Sequence, residues 1–339
     1  MPASLLDLND LRQTSYQLLS DLSEGRDVAE IYHPNARFFG VHPFNERIGI
    51  EAIADVWTQL RAALPDLERR SLTHLAGPNL PDARVSTPRA AHLVAAMGHF
   101  QGRFLADLCD IPATGKTVTL RFCEAHELVD GKIATTYLML DLADLMLQAG
   151  VWPFVRALGA EQQWYGPATS DGLRLEGNAT DTASMDVVLT MHAALLRFDG
   201  KSLESMPHAD YWHPDFMWYG PAGIGTTRGL EEFRAHHQIP FLTGFPDRAG
   251  AGHYIRISDG DYAVTGGWPS VSGTHLGPWL GMPATGKRIN MRVMDFYRLA
   301  DGRIRENWVP IDIIDIARQM GVDAFERVRH MTGKPRLSL

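Results

Sequence analysis

A chain of 339 residues with 45% hydrophobic and 21% charged residues has globular composition, which excludes disordered, collagen-like and coiled-coil classes and leaves room for two cores. Its 40 acidic residues against 32 basic ones give a net charge of −8, so no basic face is on offer to a phosphate backbone and nucleic acid is excluded as a partner. Two cysteines, Cys109 and Cys123, match neither a zinc knuckle nor a disulfide framework, and a reducing cytoplasm is the expected location.

Met1 to Ser20 carries Asp7, Asp10 and Arg12 among its leucines, so no signal peptide is expected. The most apolar stretch, Leu138 to Val155, contains Asp141 and Asp144 and reads as no membrane span. Asn178-Ala179-Thr180 fits a glycosylation sequon and is read as a chance match.

Internal repetition organises the rest. Tyr32-His33-Pro34-Asn35, followed by Gly40 and Gly49, returns as Trp212-His213-Pro214-Asp215, followed by Gly220 and Gly229; Pro65-Asp66 returns as Pro246-Asp247, one residue further on. At a shorter offset, Pro112-Ala113-Thr114-Gly115-Lys116 and Asp130-Gly131 return as Pro283-Ala284-Thr285-Gly286-Lys287 and Asp301-Gly302. Tyr137, Asp141 and Gln148 then correspond to Trp308, Asp312 and Gln319. The first copy has thus gained about ten residues, which a loop in the Pro-rich stretch Gly77 to Pro88 absorbs at little entropic cost. Repeats this long are duplicated domains and not a solenoid. The expected division is 1–158, a Gly-, Thr-, Asp- and Ala-rich linker over 159–184, and 185–339.

In each copy helices precede strands. Ile50, Ile53 and Trp57 mark a helix in the first copy, matched by Leu230, Phe233 and His237 after Gly229. Asp186 to Phe198 has helical spacing and stops at Asp199-Gly200. β-Branched and aromatic runs at His253 to Ile257, Tyr262 to Val271, Lys287 to Leu299 and Ile304 to Val309 read as strands, the last two joined by an Asp301-Gly302 hairpin turn. A short helix, Ile313 to Met320, ends at Gly321. Helices followed by an antiparallel meander predict an α+β fold, a curved sheet wrapped around its N-terminal helices with a pocket between them.

The recurring Thr-Gly-Lys fails as a phosphate loop, because Asp110 stands at the first glycine position, Arg288 follows Lys287, and a strand rather than a helix comes next. His208, His213, His236 and His237 lack zinc-ligand spacing, and no Gly-x-Ser-x-Gly elbow occurs, so neither a metal nor a serine triad is expected. Acids inside apolar strands remain. Asp295 and its counterpart Glu124 are either desolvated acid–base groups or strand carboxylates paired with an arginine such as Arg292 or Arg121. Asp312 and Asp141 are either pocket acids beside an aromatic wall or helix N-caps, Asp315 following Asp312 by three. His213 and His33, each before a proline, are ligand contacts or loop hydrogen-bonders. Trp218, Trp279 and Trp308 line a pocket for a flat ligand or fill the core.

The run Gly273-Thr274-His275-Leu276-Gly277, Gly281-Met282-Pro283-Ala284-Thr285-Gly286-Lys287, then Asp295, Trp308, Asp312 and Gln319-Met320-Gly321 resembles the SnoaL-like polyketide cyclases. These belong to the nuclear transport factor 2 and ketosteroid isomerase superfamily. The resemblance covers Asp186 to Gly321 and, more loosely, Leu11 to Gly150. It implies two fused cone-shaped α+β barrels packed as an intramolecular pseudo-dimer, leaving further homo-oligomerisation open. It implies intramolecular aldol chemistry without metal or cofactor, with Asp312 as general acid/base and Asp295 and His275 as pocket partners. Asp141 and Glu124 keep the acid positions of the first copy, but Phe100 stands where His275 does. Ligand contacts are expected from His213, Trp218, Trp279 and Trp308, and from His33 and Tyr137 in the first copy. The function expected is an aldol cyclase, isomerase or related lyase acting on a small hydrophobic carbonyl compound. The alternative is a non-catalytic carrier that uses the aromatic cone.

Overall fold

Local sequence explains where the elements of the first half start and stop. In the computed structural model, which describes residues 7–86, 90–177 and 182–333, the Asp7 carboxylate caps helix α1 (Leu8–Glu24) by accepting from Asn9 and Asp10 N–H groups, and Gly25 ends it at φ 101°. A single turn, α2 (Val28–Ile31), leads into β1 (Tyr32–Gly40) and β2 (Glu46–Ile48). Helix α3 (Ile50–Ala63) buries Ile53, Val56, Trp57 and Leu60 on one face. Long strands follow: β3 (Glu68–Pro78), β4 (His92–Arg103), β5 (Thr117–Val129) and β6 (Lys132–Leu140), closed by α4 (Leu142–Gln148).

The second half repeats the plan with α5 (Ala183–Leu195), α6 (His208–Tyr211), β7 (Trp212–Tyr219), β8 (Thr226–Arg228), α7 (Gly229–Phe233) and α8 (Ile239–Gly244). Then come β9 (Ala249–Gly250), β10 (Ile255–Asp259), β11 (Tyr262–Thr274), β12 (Arg288–Ala300), β13 (Arg303–Trp308), α9 (Ile313–Met320) and α10 (Ala324–Met331). The sequon Asn178-Ala179-Thr180 lies outside the described residues. Among the described residues no helix is long and apolar enough to cross a membrane.

The α+β class holds, with two corrections. Neither sheet closes into a barrel: one is six-stranded in the order β2-β1-β6-β5-β4-β3, the other seven-stranded along β10-β11-β12-β13-β7-β8 with β9 on β11. Nor is either a pure antiparallel meander, because β1 pairs with β6 and β7 with β13 in parallel. The sequence hides β1 and β7 because each begins His-Pro-Asn or His-Pro-Asp, a turn-like cluster. The structure takes up the proline in a register shift between Tyr32 and Arg37, where no ladder donor is needed.

The residues joining the halves are no loose tether. Ala160 bridges Thr226 and Leu173 bridges His74, the Asp171 carboxylate accepts from the Tyr262 hydroxyl at 2.5 Å, and Trp164 is buried against Tyr219. The insertion in the first copy is likewise docked. Leu80 N–H donates to Arg256 O at 2.8 Å, and Asp82 accepts from His253 N–H at 2.8 Å while pairing with Arg256 at 2.7 Å. This strap brings Arg84 and Val85 against Gly250 and Gly252, where an added Cβ would collide with both.

The halves contact each other reciprocally. Asp312 accepts from His42 N–H at 2.8 Å, and its counterpart Asp141 accepts from Ala222 N–H, the counterpart of His42, at 3.1 Å. Such exchange of like contacts is what an approximate two-fold relation produces. Residues on the outer face of the second sheet, Met294, Phe296 and Trp308, join the apolar cluster that contains the core of the first half.

Candidate active site

A cavity of about 230 Å³ opens on the inner face of the second sheet. Alternation along β12 turns Met291, Val293, Asp295 and Tyr297 into it, while β13 contributes Asn307. The helical wall carries Phe233, His237 and Phe241, and it is broken by a π-helical turn, Arg234–Gln238. Pro240 just beyond it has no N–H to donate to the preceding turn, which gives a local reason for the widened winding. The equivalent α3 runs unbroken.

Among the described residues, Asp295 is the one carboxylate that lines this space. Burial pushes its pKa up to about 7, and hydrogen bonds from Tyr297 and Asn307 only partly oppose that rise. Tyr297 OH is 2.9 Å from His192 Nε2. His192, His237 and His253 also line the cavity, and burial lowers their pKa values to about 4, 3 and 2, so all three are neutral at pH 7. Their Nδ1 atoms have no protein partner, and the same holds for Gln238 Oε1. Buried polar atoms without partners are uncommon, and these belong to side chains that line the cavity.

The first half fills the corresponding place. Glu124, the counterpart of Asp295, is fully buried against the Arg69 guanidinium and lies 3.3 Å from His126 Nε2. Burial pushes its pKa up, but Arg69 and His126 outweigh this and hold it down to about 2. Arg69 also covers the Phe122 ring, 4.3 Å from its centroid, and Phe100 stacks on Phe122. Continuing the repeat from Pro65-Asp66 and Pro246-Asp247 places Gly250 at the position of Arg69, and Tyr297 at that of His126. Removing one arginine thus removes the counter-ion and vacates the space. That signal was present in the sequence one residue off the main register.

Several residues expected at the pocket lie elsewhere. Asp312 does not line the cavity. One of its oxygens accepts from Asp315 N–H at 3.1 Å, and the other from His42 N–H and from Arg292 at 3.2 Å. Burial raises its pKa to about 6 against the pull of Arg292, yet its acceptor sites are spent on a cap and on the contact between halves. Asp141 caps α4 in the same manner and pairs with Arg121 at 3.1 Å. We expect Asp312→Ala to lower unfolding stability by about 2 kcal/mol, because it orphans buried donors, while turnover per folded molecule is retained; urea denaturation and an assay on the same sample check this.

His275 lies past the end of β11, its Nδ1 3.1 Å from Thr285 Oγ1 and its ring stacked on Phe245, so it pins the turn before β12. The rings of His33 and His213 accept from Asn35 and Asp215 N–H groups, local bonds at the bulge. Trp308 faces away, since the alternation that turns Asn307 inward turns it outward; it stacks on Tyr219 and donates to Tyr165 O at 2.7 Å. Tyr137 stacks on Phe39 in the same relation and neighbours Trp268. Trp218 and Trp279 do line the cavity, Trp218 stacked 4.1 Å from His237. Sequence reasoning missed His192, His237, Tyr297, Asn307, Arg84 and Arg248.

Comparison with known proteins agrees with the duplication. The family model described as SnoaL-like polyketide cyclase matches residues 11–149 and again 188–320. Aklanonic acid methyl ester cyclase DnrD of Streptomyces peucetius is 29% identical over 119 residues, covering 34% of this chain and 74% of that protein. Among solved structures, TsrD of Streptomyces laurentii is 26% identical, covers 42% of this chain and 98% of its own, and has a TM-score of 0.33. An NTF2-like protein of Burkholderia thailandensis is 23% identical, covers 40% and 96%, and also has a TM-score of 0.33.

Proposed function

Because the chain belongs to the SnoaL-like polyketide cyclase family, we propose that its second half is an acid–base enzyme for a small hydrophobic carbonyl compound, with Asp295 and not Asp312 moving the proton. The observation that carries this reading is a carboxylate, raised to about 7, facing a mainly apolar cavity in which no cation of the described residues pairs with it. At that pKa both protonation states are populated near neutrality. The group takes a proton from the carbon beside a carbonyl and returns it later in the cycle.

As the C–H bond breaks, its electron pair moves onto the carbonyl oxygen. The resulting enolate is a nucleophile for a second carbonyl in the same molecule, which gives ring closure by aldol addition. The neutral imidazoles of the lining are the polar groups at hand to receive the enolate oxygen, while Asn307 donates to Phe296 O and to Asp295. Trp218, Trp279 and Phe241 supply flat apolar walls. The likeness to a cyclase acting on aklanonic acid methyl ester suggests a polyketide-like ring system as substrate class.

The test uses two probes. Deuterium exchange at the α-carbon of 2-tetralone in D2O, followed by NMR, reads proton abstraction without needing the true substrate, and aklanonic acid methyl ester reads ring closure. Exchange accelerated by the wild type and lost in Asp295→Asn supports the proposal. Binding of 2-tetralone with no acceleration of exchange favours a carrier instead.

A further inference from the structure

We propose that the cavity of the second half takes a ligand bearing a carboxylate, and that the Arg248 guanidinium is the group that receives it. The inference rests on the reading of this cavity as the substrate site and adds a charge to the substrate class.

Arg248 lines the cavity just before β9. Its Nη2 donates to Leu195 O at 3.3 Å and approaches Met206 Sδ at 3.6 Å, and the guanidinium sits over Phe198, 5.6 Å from the ring centroid. No carboxylate of the described residues pairs with it. Burial is the sole influence on its pKa, which it lowers. Neighbouring arginines have acids: Arg84 and Arg256 share Asp82, and Arg234 pairs with Glu204. A guanidinium carries five N–H donors in a fixed fork. Here Nη2 alone has protein acceptors, which leaves Nε and Nη1 for a ligand. Taking a cation out of water without a counter-ion is costly, and an incoming carboxylate, bound by two parallel N–H bonds, would offset that cost.

Its surroundings agree. His208 and His237, whose pKa values Arg248 helps to lower, are neutral and cannot compete for the anion as cations would. The first copy has Leu67 at this position, so the cation belongs to the half that has the cavity. Asp295 lines the same cavity from β12, separated from β9 by β11 in the sheet. A ligand with its anionic end at Arg248 therefore shares one cavity with the proton-transfer group.

Isothermal titration calorimetry of the full chain with 2-naphthoate and with 2-naphthamide, two probes of one shape and different charge, tests this. The wild type should bind the carboxylate at least about tenfold tighter than the amide. Arg248→Gln should abolish that preference while keeping amide affinity within a few-fold, and Arg248→Lys should keep part of it. Equal affinities in the wild type, no binding of either probe, or a preference that survives in Arg248→Gln each overturn the proposal. Should Arg248→Gln fail to fold, as judged by circular dichroism, the wild-type and Arg248→Lys titrations decide it. The same titrations on Asp295→Asn should retain the preference. Turnover is not read here, so failure of the proton-transfer reading would show in the exchange assay and not in this one.

Discussion

Asp295→Asn is expected to reduce proton exchange on a carbonyl probe by on the order of a thousandfold while leaving the protein folded, because the side chain faces a cavity and supports no cap or ion pair. The pH dependence gives a second readout. Taken as a base, Asp295 is active when ionised, so wild-type kcat/KM should rise with pH and level off above about pH 7, and the residual rate of Asp295→Asn should lose that inflection. Stability should move the opposite way. A carboxyl whose pKa climbs from 3.8 unfolded to about 7 folded binds more protons in the native state between those values. Wild-type stability therefore falls as pH rises through that window. Asn carries no such charge. Above pH 7 the variant should be the more stable protein by on the order of a few kcal/mol, an upper figure because the carboxyl has some access to the cavity. Urea denaturation at pH 5 and pH 8 reads this. A variant that loses stability equally at both pH values, or that keeps full exchange activity, would remove Asp295 from the mechanism.

The contrast between Asp295 and Asp312 also marks how far sequence alone reached. Both were visible as acids in apolar surroundings, and the duplication made each conspicuous through Glu124 and Asp141. Which face a strand turns inward is set by register and bulges, and those depend on partners distant in the chain. A shift between Arg298 and Leu299 in the β12–β13 pair lies in the hairpin that carries both Asn307 and Trp308, and alternation then placed the asparagine in the cavity and the tryptophan outside. The elements that were legible, β10 to β13 and α9, are those whose signals are local: alternation, an Asp-Gly turn, a cap and a terminal glycine. The parallel β1–β6 and β7–β13 pairs bring together residues about a hundred positions apart, and no local pattern encodes them. The cavity was written in the replacement of Arg69 by Gly250, yet its meaning needs the packing of Arg69 on Phe122 and Glu124 to be seen.

The largest stability effect is expected at the buried junction around Asp259. Arg12 on α1 and Asp259 at the end of β10 are both fully buried and lie 2.8 Å apart. The same carboxylate accepts from Ala76 N–H on β3 at 3.1 Å and from Arg174 of the connecting segment at 2.9 Å. One side chain therefore ties together a helix and a strand of the first half, the joining segment, and the second sheet. Asp259→Ala would leave the Arg12 cation in a dry site with its main anion gone, and losses of about 3–5 kcal/mol attend such unpairing. Because the pair couples the halves, chemical denaturation should change from one transition to two as the contact between them weakens. The double variant Arg12→Met with Asp259→Ala should recover much of the loss, since removing both charges removes the desolvation burden as well as the attraction. A loss under about 1 kcal/mol for Asp259→Ala, or no recovery in the double variant, would mean that water reaches this junction and that apolar packing between the sheets holds the halves together without it.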